Sequence, residues 1–453
     1  MIGNLGIAGL LLASALAAQE APPHPQPSPS PSPSPAELPV AEPQPAQRPG
    51  RFRVGPFFLT PTFRVGSIGL DTNVFYTPTE RQTDVSANGG PGLDIALPFG
   101  GSGVQLYTGG AVDYTYFVRT ESQRRFGGNV RGGLALKGNR LEARVEEGFS
   151  RSFQRPNFEV DRRLLLDQWS TRGTLALRTV GRLFIRAEAG RQSLSVASDE
   201  AYFGTDLRRT LTRDLDRGVL GLEYRLSIKT SFLVAADYER DRFPQDASRD
   251  ADSNRIYAGF DIESDTRLAG RAVGGVRLFR PLIGGAAARR DGPYASVDLS
   301  YRFGPGTLLK GLYAQDLQYS AFDVAGTSPT LTVESYGGRL EKVLVGHLEL
   351  FLSGTLWRFR TSGAITVVSA TGRTTAVRSD HVRQGGADLG YRFRSRLRIG
   401  VAAVYTERRS TIADFGIQGL LVGGTVTYTP GAGARERNPL DDPAWESRTG
   451  WRP

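Results

Sequence analysis

Ser379, Asp380 and His381 are consecutive, and together they supply the three side chains of an acyl-transfer relay. Such a relay needs nucleophile, base and orienting carboxylate within hydrogen-bond reach, plus an oxyanion site. Neighbours on a strand point to opposite faces, so Ser379 and His381 can share a side that Asp380 cannot join. His347 falls in a short turn and His24 in a proline-rich arm, so neither readily completes the set. Asp250, Asp252, Ser253 and Asn254 have the oxygen spacing of a calcium loop. Arg255, however, stands where that turn requires glycine, and Asp261 rather than glutamate closes it. No glycine-rich loop precedes Lys229 in the manner of a phosphate cradle. With no cysteine and 3 histidines, the chain cannot build a disulfide framework, a zinc ribbon or a cysteine nucleophile, and has little material for an imidazole metal cluster. The sequence therefore reads as a non-enzyme, with no cofactor and no metal.

The charged residues are abundant and oddly distributed. Lys and Arg total 56 against 46 Asp and Glu, for a net charge of +10, and only Lys137, Lys229, Lys310 and Lys342 are lysines. A nucleic-acid footprint is clustered basic charge, whereas here arginine alternates with apolar residues and carboxylates along the whole chain. Nucleic acid is not an expected partner.

That alternation has the two-residue period of a strand with unlike faces. Leu220, Leu222, Tyr224 and Leu226 alternate with Glu223 and Arg225; Val297, Leu299, Tyr301 and Phe303 alternate with Asp298, Ser300 and Arg302. Tight links near Pro98–Ser102, Gly138-Asn139, Val180–Arg182, Ile228–Thr230, Asp265–Arg267, Gly304–Gly306, Val345-Gly346 and Arg394–Arg396 alternate with longer polar loops. Those loops fall near 71–84, 118–125, 155–167, 196–213, 244–254, 280–293, 320–332, 362–379 and 409–414. Eight short and nine long connections imply eighteen strands, or sixteen if one hairpin is miscounted. An even count with sided connections is the pattern of an outer-membrane barrel, and closure removes the edges an open sheet of this size would expose. The expected fold class is all-β: a single antiparallel up-and-down transmembrane β-barrel.

In such a barrel the apolar parity faces lipid and the ionic parity faces the lumen, because a midplane arginine on the lipid side costs about 2–4 kcal/mol. The expected lumen-lining charges are Arg131, Glu142, Arg144, Glu146, Arg178, Arg186, Glu188, Glu223, Arg225, Asp237, Glu239, Asp261, Glu263, Arg271, Arg277, Asp298, Arg302, Arg339, Glu341, Asp388, Arg392 and Arg398. Their mixed signs suit cross-strand ladders. Tyr107 is a candidate stacking platform for a sugar. Tyr114, Tyr116, Phe117, Tyr301, Phe303, Tyr391 and Phe393 suit an interfacial girdle. The glycine pairs 109–110, 132–133, 274–275, 337–338, 385–386 and 423–424 suit points of strand curvature.

Residues 1–18 read as a signal peptide, with an apolar run ending in Ala15-Leu16-Ala17. Residues 19–50 read as a proline-rich disordered periplasmic linker, 51–428 as the barrel and 429–453 as a C-terminal tail. The final strand, Leu421 to Tyr428, resembles the assembly signal of outer-membrane barrels, with Leu421 in place of the usual polar residue.

Phe63 to Phe75, followed by Thr83-Asp84 and Gly90-Pro91-Gly92-Leu93, resembles the outer-membrane β-barrel porin family associated with exopolysaccharide export. Asp71, Asn73 and Phe75 match that family's motif, and Leu70 replaces its usual aromatic residue. The resemblance implies a conduit in the outer membrane of a Gram-negative bacterium that accepts polysaccharide from a periplasmic export complex. Outer-membrane lipid and the barrel-assembly machinery are the other expected partners. A general diffusion porin for small solutes and a surface structural or adhesion barrel are the alternatives.

Overall fold

The computed structural model describes residues 52–78, 80–99, 103–157, 159–197, 201–262, 267–283, 289–304, 306–324, 330–369, 372–393 and 397–428. The expected signal, the linker, the C-terminal tail and Glu263 lie outside the described residues. Eighteen long strands make the wall. In chain order they are β1 (Phe57–Asp71), β2 (Asp84–Phe99), β3 (Val104–Phe117), β4 (Arg125–Lys137), β5 (Leu141–Gln154) and β6 (Leu164–Arg178). There follow β7 (Leu183–Val196), β8 (Arg213–Arg225), β9 (Thr230–Arg242), β10 (Ala251–Ile262), β11 (Leu268–Pro281) and β12 (Arg290–Gly304). The last are β13 (Thr307–Tyr319), β14 (Thr330–Val343), β15 (Leu348–Ser369), β16 (Gly372–Phe393), β17 (Leu397–Ser410) and β18 (Ile417–Tyr428). Each pairs antiparallel with its sequence neighbours, and β18 returns to β1 with Phe63 opposite Tyr428 and Asp71 opposite Leu421. The sheet is closed.

The eight tight links fall where the sequence places them, and eight of the nine long loops do too. The exception is 362–379. β15 and β16 run on to Ser369 and from Gly372 as one long hairpin, with a register shift between Arg360 and Ala364. Thr361-Ser362-Gly363 reads as a loop but forms a bulge, and the β-branched run beyond it resumes the ladder.

Exposure is inverted relative to a soluble protein. Leu220 is 59% and Val401 61% exposed, whereas Arg277 is 1% and Glu239 2%. The ionic parity is the concave one. Arg255 on β10 reaches Asp316 on β13 at 2.9 Å, and Arg277 on β11 reaches Glu239 on β9 at 2.7 Å. Side chains on non-adjacent strands of a closed sheet meet in this way only across its interior.

Exposed aromatics mark the exterior. Tyr224, Phe260, Tyr301, Phe303, Tyr391 and Phe393 lie beside tight turns, while Trp169, Tyr238 and Tyr405 lie toward the long loops. From Leu397, the register partner of Phe393, to Tyr405 the tilted strand rises roughly 20 Å, close to the height of an apolar outer band. Phe117 departs from the expected girdle: it is 2% exposed and faces inward under the Arg163 guanidinium. Two of the paired glycines make room for a side chain of the neighbouring strand. Gly133 lies opposite Tyr107, whose hydroxyl would sit 2.4 Å from a Cβ there, and Asp94 fills the space over Gly109. Replacing Leu220 on the outer face by arginine will lower unfolding free energy by about 2–4 kcal/mol, read from urea unfolding in lipid vesicles.

Candidate functional site

The interior carries ladders of arginine and carboxylate. Arg131 pairs with Asp94 at 3.1 Å, Arg186 with Glu223 at 2.6 Å and Glu188 with Arg172 at 2.6 Å. Arg144 pairs with Glu146 at 2.8 Å, and Glu142 sits opposite Lys137 in register. Arg339 and Lys310 converge on Glu341, at 2.9 and 3.5 Å. Glu349 receives Arg392 at 2.7 Å and Arg398 at 3.1 Å, and Arg398 also pairs with Asp388. Asp237 takes Arg217 at 2.7 Å and Arg255 at 3.0 Å, and Arg271 meets Asp261 at 2.7 Å. Asp298 faces Arg271 across β11 and β12, Arg178 and Arg225 lie over the Phe184 ring, and Arg302 follows on the same face of β12. Arg213, Arg217, Arg255 and Asp316 were missed by sequence reading, although the parity of Glu223, Asp261 and Lys310 on the same strands selects them.

Tyr107 cannot serve as an open stacking platform. It is 6% exposed, its hydroxyl donates to Glu146 at 2.7 Å, and Arg144 lies 4.7 Å over its ring. The residues Asp71, Asn73 and Phe75 build an anchor at the β18–β1 seam. Asp71 accepts from the Asn73 amide at 2.9 Å and pairs with Arg163 at 3.2 Å; Asn73 Nδ2 donates to the Thr77 and Gln418 carbonyls. Phe75 lies half-buried in the turn they hold.

The other candidate chemistry is dispersed. Asp380 points inward and is fully buried, while His381 is exposed on the outer face. Asp250 caps the Phe243 amide, Asp252 pairs with Arg242, and Ser253 accepts from Arg277, so the calcium-like spacing is spent on separate contacts. Among the described residues, no three His, Asp or Glu side chains converge to hold a metal ion.

The feature that sequence reading missed lies at the long-loop end. Val160, Leu164, Leu166, Leu194 and Val196 join Phe322, Ile365, Val367, Ile412 and Phe415 in one buried apolar cluster. These residues come from opposite walls, since β6 and β15 are nine strands apart in a ring of eighteen. The segment 201–212 supplies a finger. Ala201–Tyr202 pairs with Thr205–Asp206 around Phe203 (φ +50°) and Gly204 (φ +81°), and a short helix, Leu207–Leu211, follows. A phenylalanine in the left-handed region costs on the order of 1–2 kcal/mol. Its packing against Phe415 and the 3.0 Å bond from the Val368 amide to the Phe203 carbonyl hold it there. The mouth is bridged.

Beneath this cap lies a buried ionic layer. Arg378 pairs with Asp380 at 2.7 Å, both fully buried, and the Arg378 guanidinium lies 3.5 Å from the centre of the Phe415 ring. Glu159 in the 155–163 loop accepts from the Ala321 amide at 2.5 Å and the Ser320 hydroxyl at 2.8 Å, and its carbonyl accepts from Arg378. Arg408 on β17 pairs with Asp161 of the same loop.

No protein-family model matches the chain. No curated protein matches it either. Solved structures share its outline. A BenF-like porin from Pseudomonas fluorescens Pf-5 is 14% identical with a TM-score of 0.45, over 82% of this chain and 98% of that one. OccK2 (OpdF) of Pseudomonas aeruginosa is 14% identical with a TM-score of 0.46, over 82% and 97%. The FrpB iron transporter from Neisseria meningitidis is 9% identical with a TM-score of 0.43, over 78% of this chain and only 62% of its own length. The assignment itself rests on closure, even strand number and inverted polarity, which together are the architecture of the outer membrane. The chain is an outer-membrane β-barrel.

Burial pushes the Glu159 carboxyl above its ordinary range, against the opposing Arg378 charge and the hydrogen bonds from Ala321 and Ser320; Asp380 adds to the rise. A raised value in the capped form means that the capped form binds the proton more tightly, so acid favours closure. That advantage is full below the ordinary glutamate range and is lost as pH rises through the elevated value. Asp161, Arg155 and Arg408 stand nearby, with Arg155 and Arg408 both paired to Asp161. Open probability in planar bilayers will therefore rise as pH is raised above the ordinary glutamate range, and Glu159→Gln will flatten the profile.

Proposed function

We propose that this barrel is a gated channel for small charged solutes, held shut at its outer mouth by the cap. The observation that carries the reading is the set of direct bonds across the mouth, from Phe203 to Val368 and from Glu159 to Ser320 and Ala321. Below the cap the ladders keep partial exposure: the side chains of Arg131, Arg172 and Arg271 are 24, 29 and 34% accessible. A water-filled passage lined by alternating signs lets a charged solute exchange one partner for the next and selects through local charge rather than net field. The finger 201–206 is the movable part, since one strained turn, side-chain packing and a single backbone bond to Val368 hold it rather than a wall ladder.

A second reading, polysaccharide export, is supported by the match at Asp71, Asn73 and Phe75. Those side chains anchor a loop in the structure, so the polymer assignment rests on the resemblance.

The finger decides between open and shut. Deleting 201–206 will raise single-channel conductance in monovalent salt several-fold, and equal conductance with and without the finger would reject the gate. Loss of surface polymer in a strain lacking the gene, restored by the intact barrel, is the outcome the export reading requires.

A further inference from the structure

The outward residues of β15, β16 and β17 change character along each strand. On β15 Leu350, Leu352, Gly354 and Leu356 give way to Arg358 and Arg360. On β16, running the other way, Tyr391, Leu389, Ala387 and Gly385 give way to Arg383 and His381. On β17 Ile399, Val401, Ala403 and Tyr405 give way to Glu407 and Arg409. The register brings these ends together. Arg358 lies opposite His381 and His381 opposite Arg409, with Arg383 and Arg360 one step to either side. Arg358, Arg360, His381 and Arg383 are exposed and make no ion pair among the described residues, while Arg409 is shared with Glu407 at 2.7 Å.

The opposite arc of the same rim is neutralised. Arg151 pairs with Asp167 at 2.5 Å, Arg191 with Asp214 at 3.3 Å and Arg242 with Asp252 at 2.8 Å, and Arg240 stands in register between Asp216 and Asp252. Cations directly opposite one another on a sheet repel, and Glu334, in register with Arg358, and Glu407, in register with Arg383, offset only part of that charge, since four arginines and His381 stand against two carboxylates. We propose that this arc binds the phosphate-bearing headgroup of an anionic lipid in the outer leaflet.

Three features fit that occupant. The cations begin where the aliphatic and aromatic residues stop, which is the level of headgroups above acyl chains. Arginine forks match phosphate oxygens in pairs, and three guanidiniums on two adjacent strands can close on one phosphate group or on two neighbouring ones. Turnward of the cations, beyond Leu356, Gly311, Gly338, Gly354 and Gly385 stand opposite one another on four consecutive strands, all exposed. A Cβ at Gly311, Gly354 or Gly385 would meet nothing, so the wall there is a side-chain-free band against which an acyl chain can lie.

The test uses the full barrel, delipidated in neutral detergent, with bisphosphorylated lipid A as the probe and native mass spectrometry and thermal unfolding as readouts. The intact protein is expected to retain the lipid and unfold at higher temperature with it. The Arg358→Gln/Arg360→Gln/Arg383→Gln variant is expected to lose at least tenfold in retention, while the opposite-arc variant Arg191→Gln/Arg240→Gln/Arg242→Gln keeps it. Dephosphorylated lipid A and inorganic phosphate should give no comparable shift. All three substituted residues face outward, so heat-modifiable gel mobility and conductance should match the intact protein, which separates this binding from passage through the lumen. Undiminished retention by the triple variant, an equal loss in the opposite-arc variant, or an equal shift with inorganic phosphate would each overturn the proposal. So would a dimer that forms through this face and is abolished by the same three substitutions.

Discussion

In hydrocarbon no backbone amide or carbonyl can be left without a partner, and every larger feature of this molecule follows from that demand. It forces the last strand back onto the first. The seam is tight: a Cβ on Gly69 would lie 2.4 Å from the Val422 carbonyl oxygen, and one on Gly423 would lie 2.9 Å from that of Ile68. Glycine on both sides lets the two strands approach across the register shift between Val65 and Ile68. Once the sheet is closed, each strand has one face toward lipid and one toward the interior, and a two-residue period in the sequence becomes a choice of solvent.

Closure also explains the arginine bias. A concave wall brings side chains from several strands toward one another, and a planar fork can serve more than one carboxylate where an ammonium would act as a single point. Arg277 spans Glu239, Ser253, Asp316 and the Leu317 carbonyl, and Arg255 ties Asp237 and Glu239 to Asp316. Such pairs do not simply stabilise, because burying the charges offsets much of their attraction. They fix which strand faces which across the lumen.

The wall was legible because period and punctuation are local. Leu220, Leu222 and Tyr224 announce an outer face whatever lies beyond them, and Gly138-Asn139 announces a turn. The cap was not legible for the converse reason. Val160, Phe203, Phe322 and Phe415 sit in loops far apart in the chain, and only the closed ring brings them within reach. The same limit explains Tyr107. Its parity identifies the inward face, but its occupation by Glu146 and Arg144 depends on the next two strands. At 362–379, Thr361-Ser362-Gly363 carries the composition of a loop, and only pairing with β16 reveals a bulge.

The cap combines an apolar cluster with an ionic layer, and the combination makes its stability conditional. An all-apolar plug would gain from each buried side chain and would have little to lose by staying in place. Here Arg378 and Asp380 are withdrawn from water beneath Phe415, and Glu159 is withdrawn with them, its burial outweighing the opposing Arg378 charge. Opening rehydrates these groups, so the solvation regained offsets part of the apolar contact given up. The strained Phe203 turn is relieved in the same step. The wall makes no such exchange, because its ladder bonds have no alternative partners in lipid. Rigid barrel and movable cap thus differ in one respect: whether water waits on the other side of the broken contact.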